Sequence, residues 1–260
     1  MYIDTHIHLY LPEFREDVGE LILQAGRQGI EKFFLPNIDV AAVGDLHTLC
    51  AAYPGVCFPM IGLHPCSVKE NYLEALDELH GYLKNGKYYG IGETGIDLFW
   101  DATFLEEQKK SLRIQIEWAL SFKLPLILHV RAAFEEVMAC LGEYSKLPVG
   151  IFHCFSGDVS QAERVLKLGS FKLGIGGVVT FKNGGLAETI KQIDLKHLVL
   201  ETDAPYLAPV PYRGKRNIPS YLPIIARKIA ELKNVTLTEV MEQTTANALE
   251  VFGIGDFNIK

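Results

Sequence analysis

Two histidines open the chain two residues apart, in the run Asp4-Thr5-His6-Ile7-His8. The segment alternates as a strand does, which puts Asp4, His6 and His8 on one face. Two imidazoles at that spacing converge on one cation, with a carboxylate behind them to orient a ring. The plain alternative is an edge strand that happens to carry polar residues, so the metal reading depends on ligands from elsewhere. The rest of the chain supplies them: His64 in Gly62-Leu63-His64-Pro65, Glu93 in Gly92-Glu93-Thr94-Gly95-Ile96-Asp97, His129 in His129-Val130-Arg131, His153 in His153-Cys154-Phe155-Ser156-Gly157, and Asp203 in Glu201-Thr202-Asp203-Ala204-Pro205.

Singly, each has an ordinary explanation. A lone histidine at a strand end is usually just hydrogen-bonded, and an aspartate before Ala-Pro is usually a turn residue or a helix cap. Together they recur at the ends of short apolar runs. The strand candidates are Tyr2–His8, Lys32–Asn37, Val56–His64, Tyr88–Asp97, Leu124–Val130, Val149–Phe155, Phe171–Gly177 and His197–Asp203. Amphipathic stretches between them, such as Glu13–Arg27, Ser67–Lys84, Phe104–Phe122, Ala132–Tyr144 and Ser160–Leu168, read as helices. Eight strands alternating with helices predict a (β/α)8 TIM barrel of the α/β class, a single domain over residues 1–260. An open doubly wound sheet would need a glycine-rich phosphate turn after its first strand, and Leu9-Tyr10-Leu11-Pro12 is not one. The glycine-rich piece Leu173–Gly177 follows a strand but opens no helix, so it fails as a dinucleotide fingerprint.

In a barrel, side chains at the C-terminal strand ends face one funnel, where active sites lie. His6, His8, Glu93, His129, His153 and Asp203 then form a ligand set too large for one tetrahedral cation and suited to two. Paired metals about 3.5–4 Å apart commonly hydrolyse phosphoesters and some amides. Imidazole-rich shells favour Zn, Mn, Fe or Co, and the carboxylates make Mn or Mg usable at the more oxygen-rich position. Strand alternation turns Cys154 away from His153, toward the helices, as core packing. Glu201, two before Asp203, shares its face. Arg131, two beyond His129, points the same way; Arg213, Lys215 and Arg216 cluster in the long loop after the last strand. Such cations could hold phosphates or simply form a solvated turn. Phe99, Trp100 and Phe104, after the fourth strand, could stack bases or pack beneath a loop.

The bulk properties narrow the classes. At 260 residues, 48% hydrophobic and 22% charged, the chain has globular composition, with no apolar run long enough to span a membrane and no signal-peptide pattern. Five cysteines, with no Cys-x-x-Cys pair, predict reduced thiols and a cytoplasmic location. A net charge of −7 excludes wrapping duplex DNA by electrostatics, though not cutting it at a local site.

The motifs, in this order and over essentially the whole length, resemble the TatD family of metal-dependent hydrolases in the amidohydrolase superfamily. Arg213-Gly214-Lys215-Arg216-Asn217 resembles that family's basic loop. The resemblance implies a metal-dependent deoxyribonuclease of exonuclease type on a (β/α)8 barrel, with two divalent ions (Zn, Mn or Mg). It implies that His6, His8, Glu93 and Asp203 hold one metal and that Glu93 bridges to a second held by His129 and His153. His64 and Arg131, with Arg213 and Arg216, would meet phosphate. Asp203 would accept the proton of a metal-activated water, with Glu93 as the second catalytic carboxylate. Its partner is nucleic acid as substrate, single-stranded DNA, with no membrane and no stable protein partner expected. Cys66, Ala132 and Ile218 depart from the pattern near the substrate side and leave the metal positions intact. A deacylase acting on a mischarged aminoacyl-tRNA is the alternative, because the same metals could serve a carbonyl carbon.

Overall fold

The structure is a computed structural model that describes residues 1–182 and 184–254; of the unit expected over 1–260, residue 183 and residues 255–260 lie outside it. Strands and helices alternate along it: β1 (Tyr2–Asp4), α1 (Val18–Arg27), β2 (Ile30–Pro36), α2 (Val43–Ala52), β3 (Cys57–Met60), α3 (Tyr72–Asn85), β4 (Ile91–Asp97), α4 (Leu105–Phe122), β5 (Leu126–Arg131) and α5 (Phe134–Gly142). They continue as β6 (Gly150–Phe152), α6 (Val159–Lys167), β7 (Phe171–Ile175), α7 (Leu186–Gln192), β8 (Leu198–Leu200), α8 (Leu222–Lys233) and α9 (Leu237–Phe252). Neighbouring strands pair in parallel, β1 to β3 in one group and β4 to β8 in another.

Two seams close these groups into a (β/α)8 barrel. At the β3–β4 seam the Ile61 N–H donates to Gly90 O (3.0 Å) and the Gly92 N–H to Ile61 O (2.8 Å). The backbones come so near that a β-carbon on Gly62 would lie 2.8 Å from Gly92, which is why only glycine fits there. At the β8–β1 seam the Thr5 N–H donates to Leu200 O (3.0 Å) and the Asp203 N–H to His6 O (2.9 Å). Buried Asp4 reinforces this seam. It accepts from the Thr202 hydroxyl (2.6 Å), the Thr202 N–H (3.0 Å) and the His6 N–H (3.3 Å).

The core follows the strand period. On β2, Phe33 and Leu35 face the helices while Phe34 faces the interior; on β5, Leu126 and Leu128 face out and Ile127 in. Inside, Ile3, Phe34, Phe58, Ile127, Ile151 and Val199 form a layer that meets the end of α9, where Phe252 stacks on Phe34 at 3.5 Å. That helix plugs the N-terminal end of the barrel, with the Thr245 hydroxyl on Met1 O (3.0 Å). Among the described residues, it is the C-terminal end that stays open, with the cavity above it. No helix among the described residues is long and apolar enough to cross a membrane.

The strands are shorter than their apolar runs suggest. β1 stops at Asp4, β3 at Met60, β6 at Phe152 and β8 at Leu200, so His6, His8, His64, His153 and Asp203 lie just beyond strand ends. Polar groups gathering at the mouth, and turns such as the 3-10 turn Pro65–Ser67, break the ladder there. The helix expected over Glu13–Arg27 begins only at Val18, after a 3-10 turn at Pro12–Phe14. Asp4 also departs from expectation: its oxygens take backbone and Thr202 donors rather than orienting an imidazole.

Replacing Asp4 with alanine strands the buried Thr202 hydroxyl and two backbone donors. An unpaired buried polar group costs roughly 1–3 kcal/mol, so Asp4→Ala is expected to lose about 3 kcal/mol in urea unfolding, and Thr202→Val about 1 kcal/mol. Equal, negligible losses for both would show that the seam holds without the clamp.

Candidate metal centre

Glu93 sits at the centre of the open end, buried, with an imidazole nitrogen near each of its oxygens. Its Oε2 lies 3.1 Å from His6 Nε2 and 3.5 Å from His8 Nε2. Its Oε1 lies 2.8 Å from His129 Nδ1, 3.3 Å from His153 Nε2 and 3.5 Å from His64 Nε2. The pairing of β4 with β5 shifts register between Ile91 and Thr94. Ile91 packs outward, and alternation alone would carry Glu93 the same way; with the shift, its carboxylate turns into the funnel. Gly95, at φ +142°, lets β4 lie against the His129 carbonyl, where any side chain would collide.

Donor atoms gather in overlapping groups, each within 4.8 Å: His6, His8 and Asp203; His6, Glu93 and His153; His64, Glu93 and His129. The His6 and His8 Nε2 atoms approach to 3.3 Å, and Asp203 Oδ1 lies 3.5 Å from His8 Nε2 and 3.8 Å from His6 Nε2. His153 stacks on His6 at 3.4 Å, whereas His129 and His153 are 6.2 Å apart between ring centres. His129, His153 and also His64, placed in the sequence reading as a phosphate contact, all lie within 3.5 Å of the same Glu93 oxygen.

Outer partners turn the rings. The Tyr10 hydroxyl donates to Pro36 O (2.6 Å), so its oxygen accepts from His8 Nδ1 (3.2 Å) and leaves the His8 Nε2 lone pair bare. Asp97 Oδ2 holds His129 Nε2 at 2.9 Å, leaving Nδ1 toward Glu93. Glu201 Oε1 lies 3.0 Å from His153 Nδ1 and accepts the Cys154 N–H at 2.5 Å. Such outer carboxylates fix the orientation of metal-ligating histidines. Asp97 and Tyr10 carried no assignment in the sequence; the parity Glu93, Gly95, Asp97 would have pointed to the first.

The charges fit a cation. Burial works against the ionised form of Glu93, but His6, His64 and His153, with the bond from His129, hold its carboxyl well below the usual range. Burial likewise opposes the Asp203 anion, and His153, His8 and His6 still keep it low. For His153, burial favours the neutral ring, yet Glu201, Glu93 and Asp203 push it up to about 10. A field that draws a proton onto a fully enclosed imidazole also draws a metal ion. His6 Nε2 and His8 Nε2 meet at 3.3 Å with Glu93 and Asp203 oxygens around them, and such an N/O donor set fits a divalent cation.

A family model described as TatD related DNase matches residues 3–253. The chain belongs to that family. YabD of Bacillus subtilis, named an uncharacterized metal-dependent hydrolase, is 37% identical over 256 residues, covering 98% of this chain and all 100% of YabD. The crystal structure of YjjV, a TatD homologue from Escherichia coli K12, matches with a TM-score of 0.91 at 29% identity over 98% of each chain. A TatD-family hydrolase from Entamoeba histolytica, at 22% identity and a TM-score of 0.83 over 96% of this chain and 97% of its own, shares the fold. This TatD-family chain is thus a metal-dependent hydrolase built on a TIM barrel.

Around Glu93, Asp203 and the histidines lies a cavity of about 760 Å³. Arg131 lines it, exposed, stacked on Phe99 (4.1 Å to the ring centre) and Trp100 (5.2 Å). Cys154 also lines it, which corrects the expectation of core packing: β6 has already ended, and Cys154 takes φ +46°, so alternation no longer applies. Neither Arg213 nor Arg216 lines the cavity. Arg216 pairs with Asp17 and donates to Glu13 O, so it anchors the loop to the segment before α1. Arg213 packs over Phe181, 4.6 Å to the ring centre, at the rim.

Because Glu201 helps hold His153, Glu201→Gln is expected to weaken divalent-cation affinity roughly 10- to 100-fold in chelator competition, with unchanged circular dichroism. Imidazole ligands must shed protons to bind, so affinity is expected to fall as pH is lowered from 8 to 6. Equal affinity in the variant, or no pH dependence, would count against the ligand set.

Proposed function

We propose that the chain is a deoxyribonuclease, a phosphodiesterase of exonuclease type that acts on single-stranded DNA with two divalent ions. The observation that carries this reading is the division of Glu93: one oxygen serves the His6–His8–Asp203 side and the other the His129–His64–His153 side. In this reading His6, His8, Glu93 and Asp203 hold one ion, and Glu93, His129 and His153 the other. The family description, TatD related DNase, supports a phosphodiester of DNA as the bond cleaved. The five cysteines are free thiols, which supports action in the reducing cytoplasm.

Bound divalent ions in such a pair lower the pKa of water and polarise phosphoryl oxygens. Asp203, kept ionised by the neighbouring histidines, takes the proton of the attacking water as general base. Arg131, exposed at the cavity wall over the Phe99 and Trp100 rings, donates to a non-bridging phosphate oxygen. His64, raised by Glu93 despite its burial, adds positive charge on the same side. Arg213 at the rim attracts the strand. Arg216, committed to Asp17, acts on substrate only through the loop that it anchors.

The test is to incubate cation-loaded protein with end-labelled single-stranded DNA, RNA and an aminoacylated tRNA. Ladders shortened from one DNA end are expected. Release of amino acid without shortening would replace this reading with the deacylase one. Glu93→Ala is expected to lose bound metal and nearly all cleavage. Asp203→Asn is expected to lower kcat roughly 10²- to 10⁴-fold. Full turnover in either variant would overturn the assignment.

A further inference from the structure

Trp100 is the most exposed large apolar side chain described, at 70%, with Phe99 beside it at 58%. Their position is built. Asp97 Oδ1 accepts the Phe99 N–H (2.9 Å) and the Trp100 N–H (3.3 Å), while its Oδ2 holds His129. One buried carboxylate thus sets the distance between the metal-side histidine and the two aromatic residues. Arg131 lies over both rings. Trp100 also stands between two cavities: it lines the large one over the metal centre and a second, of about 320 Å³, whose wall includes Phe104, Val68 and Lys69. The acid Asp101 stands at that second cavity too, with Lys69 near it.

An exposed indole under a guanidinium, in the wall of the large cavity, matches how proteins bind single strands: a cation for the phosphate and a π-face for the base. We infer that Trp100, with Phe99 and Arg131, is the stacking platform for a nucleobase flanking the scissile phosphodiester, and that the second cavity receives that base. The inference rests on the nucleic-acid reading above and adds a subsite to it. Its occupant is a base of a single strand, because a base within a duplex has both faces covered.

The chain carries its own reporter. Of its two tryptophans, Trp118 is buried and stacks on His80, so only Trp100 can be quenched by a base at the mouth. Cation-loaded protein is titrated with a short phosphorothioate oligothymidylate, which resists cleavage. Saturable quenching is expected in the wild type and in Trp118→Phe, and none in Trp100→Phe. Substrates with an abasic nucleotide at each position from the cleaved end in turn then locate the base. At one position its loss is expected to raise KM roughly tenfold in the wild type and by almost nothing in Trp100→Ala, with Trp100→Phe close to wild type. Cleavage of DNA with no quenching, or with additive abasic and Trp100 effects at every position, would overturn the platform alone. If the wild type neither binds nor cleaves any oligonucleotide, the platform and the nucleic-acid reading fall together.

Discussion

A single buried carboxylate organises the open end of this barrel. Glu93 stands among five imidazoles drawn from four separate stretches of chain, and each of its oxygens faces a different set. Burying that anion is costly unless positive charge surrounds it. The histidines supply such charge as imidazolium or, in a metal-dependent hydrolase, by holding cations against it.

The arrangement is possible because the barrel closes. His6 and Asp203 are nearly two hundred residues apart in sequence, yet the Asp203 N–H donates directly to His6 O. Asp4 and Thr202 tie the same seam one step deeper, which explains a buried acid that touches no ring. The β3–β4 seam, drawn tight by Gly62 and Gly92, brings His64 toward Glu93. Below, the interior layer and Phe252 fill the barrel, so the polar residues collect at the end that stays open.

Around the histidines lies a ring of groups that act by orienting. Tyr10, Asp97 and Glu201 each bind the far nitrogen of a histidine and so decide which nitrogen faces inward. Asp97 does this while also pinning the Phe99–Trp100 turn, so the chemistry and the nearest aromatic surface share one anchor. Although the net charge of the chain is acidic, Arg131 and Arg213 place positive charge locally at the mouth.

Much of this was legible in the order of residues. Apolar runs alternating with amphipathic ones require layers of strand and helix, and histidines or acids that close successive runs must meet where strands end together. Side-chain alternation was a poorer guide once the strands stopped. It sent Cys154 to the helices, whereas a left-handed residue past β6 turns it into the cavity. It offered Asp4 as a ring partner, and it could not show that a register shift swings Glu93 inward. The basic loop could be read as holding phosphates or as a solvated turn; the pairing of Arg216 with Asp17 was not visible in it. Sequence alone determined which groups could bind metal and that a closed α/β barrel would gather them, because both follow from residue type and local period. Tertiary structure decided which nitrogen meets which oxygen, because seam closure, register and hydrogen-bond competition join residues that no local period connects.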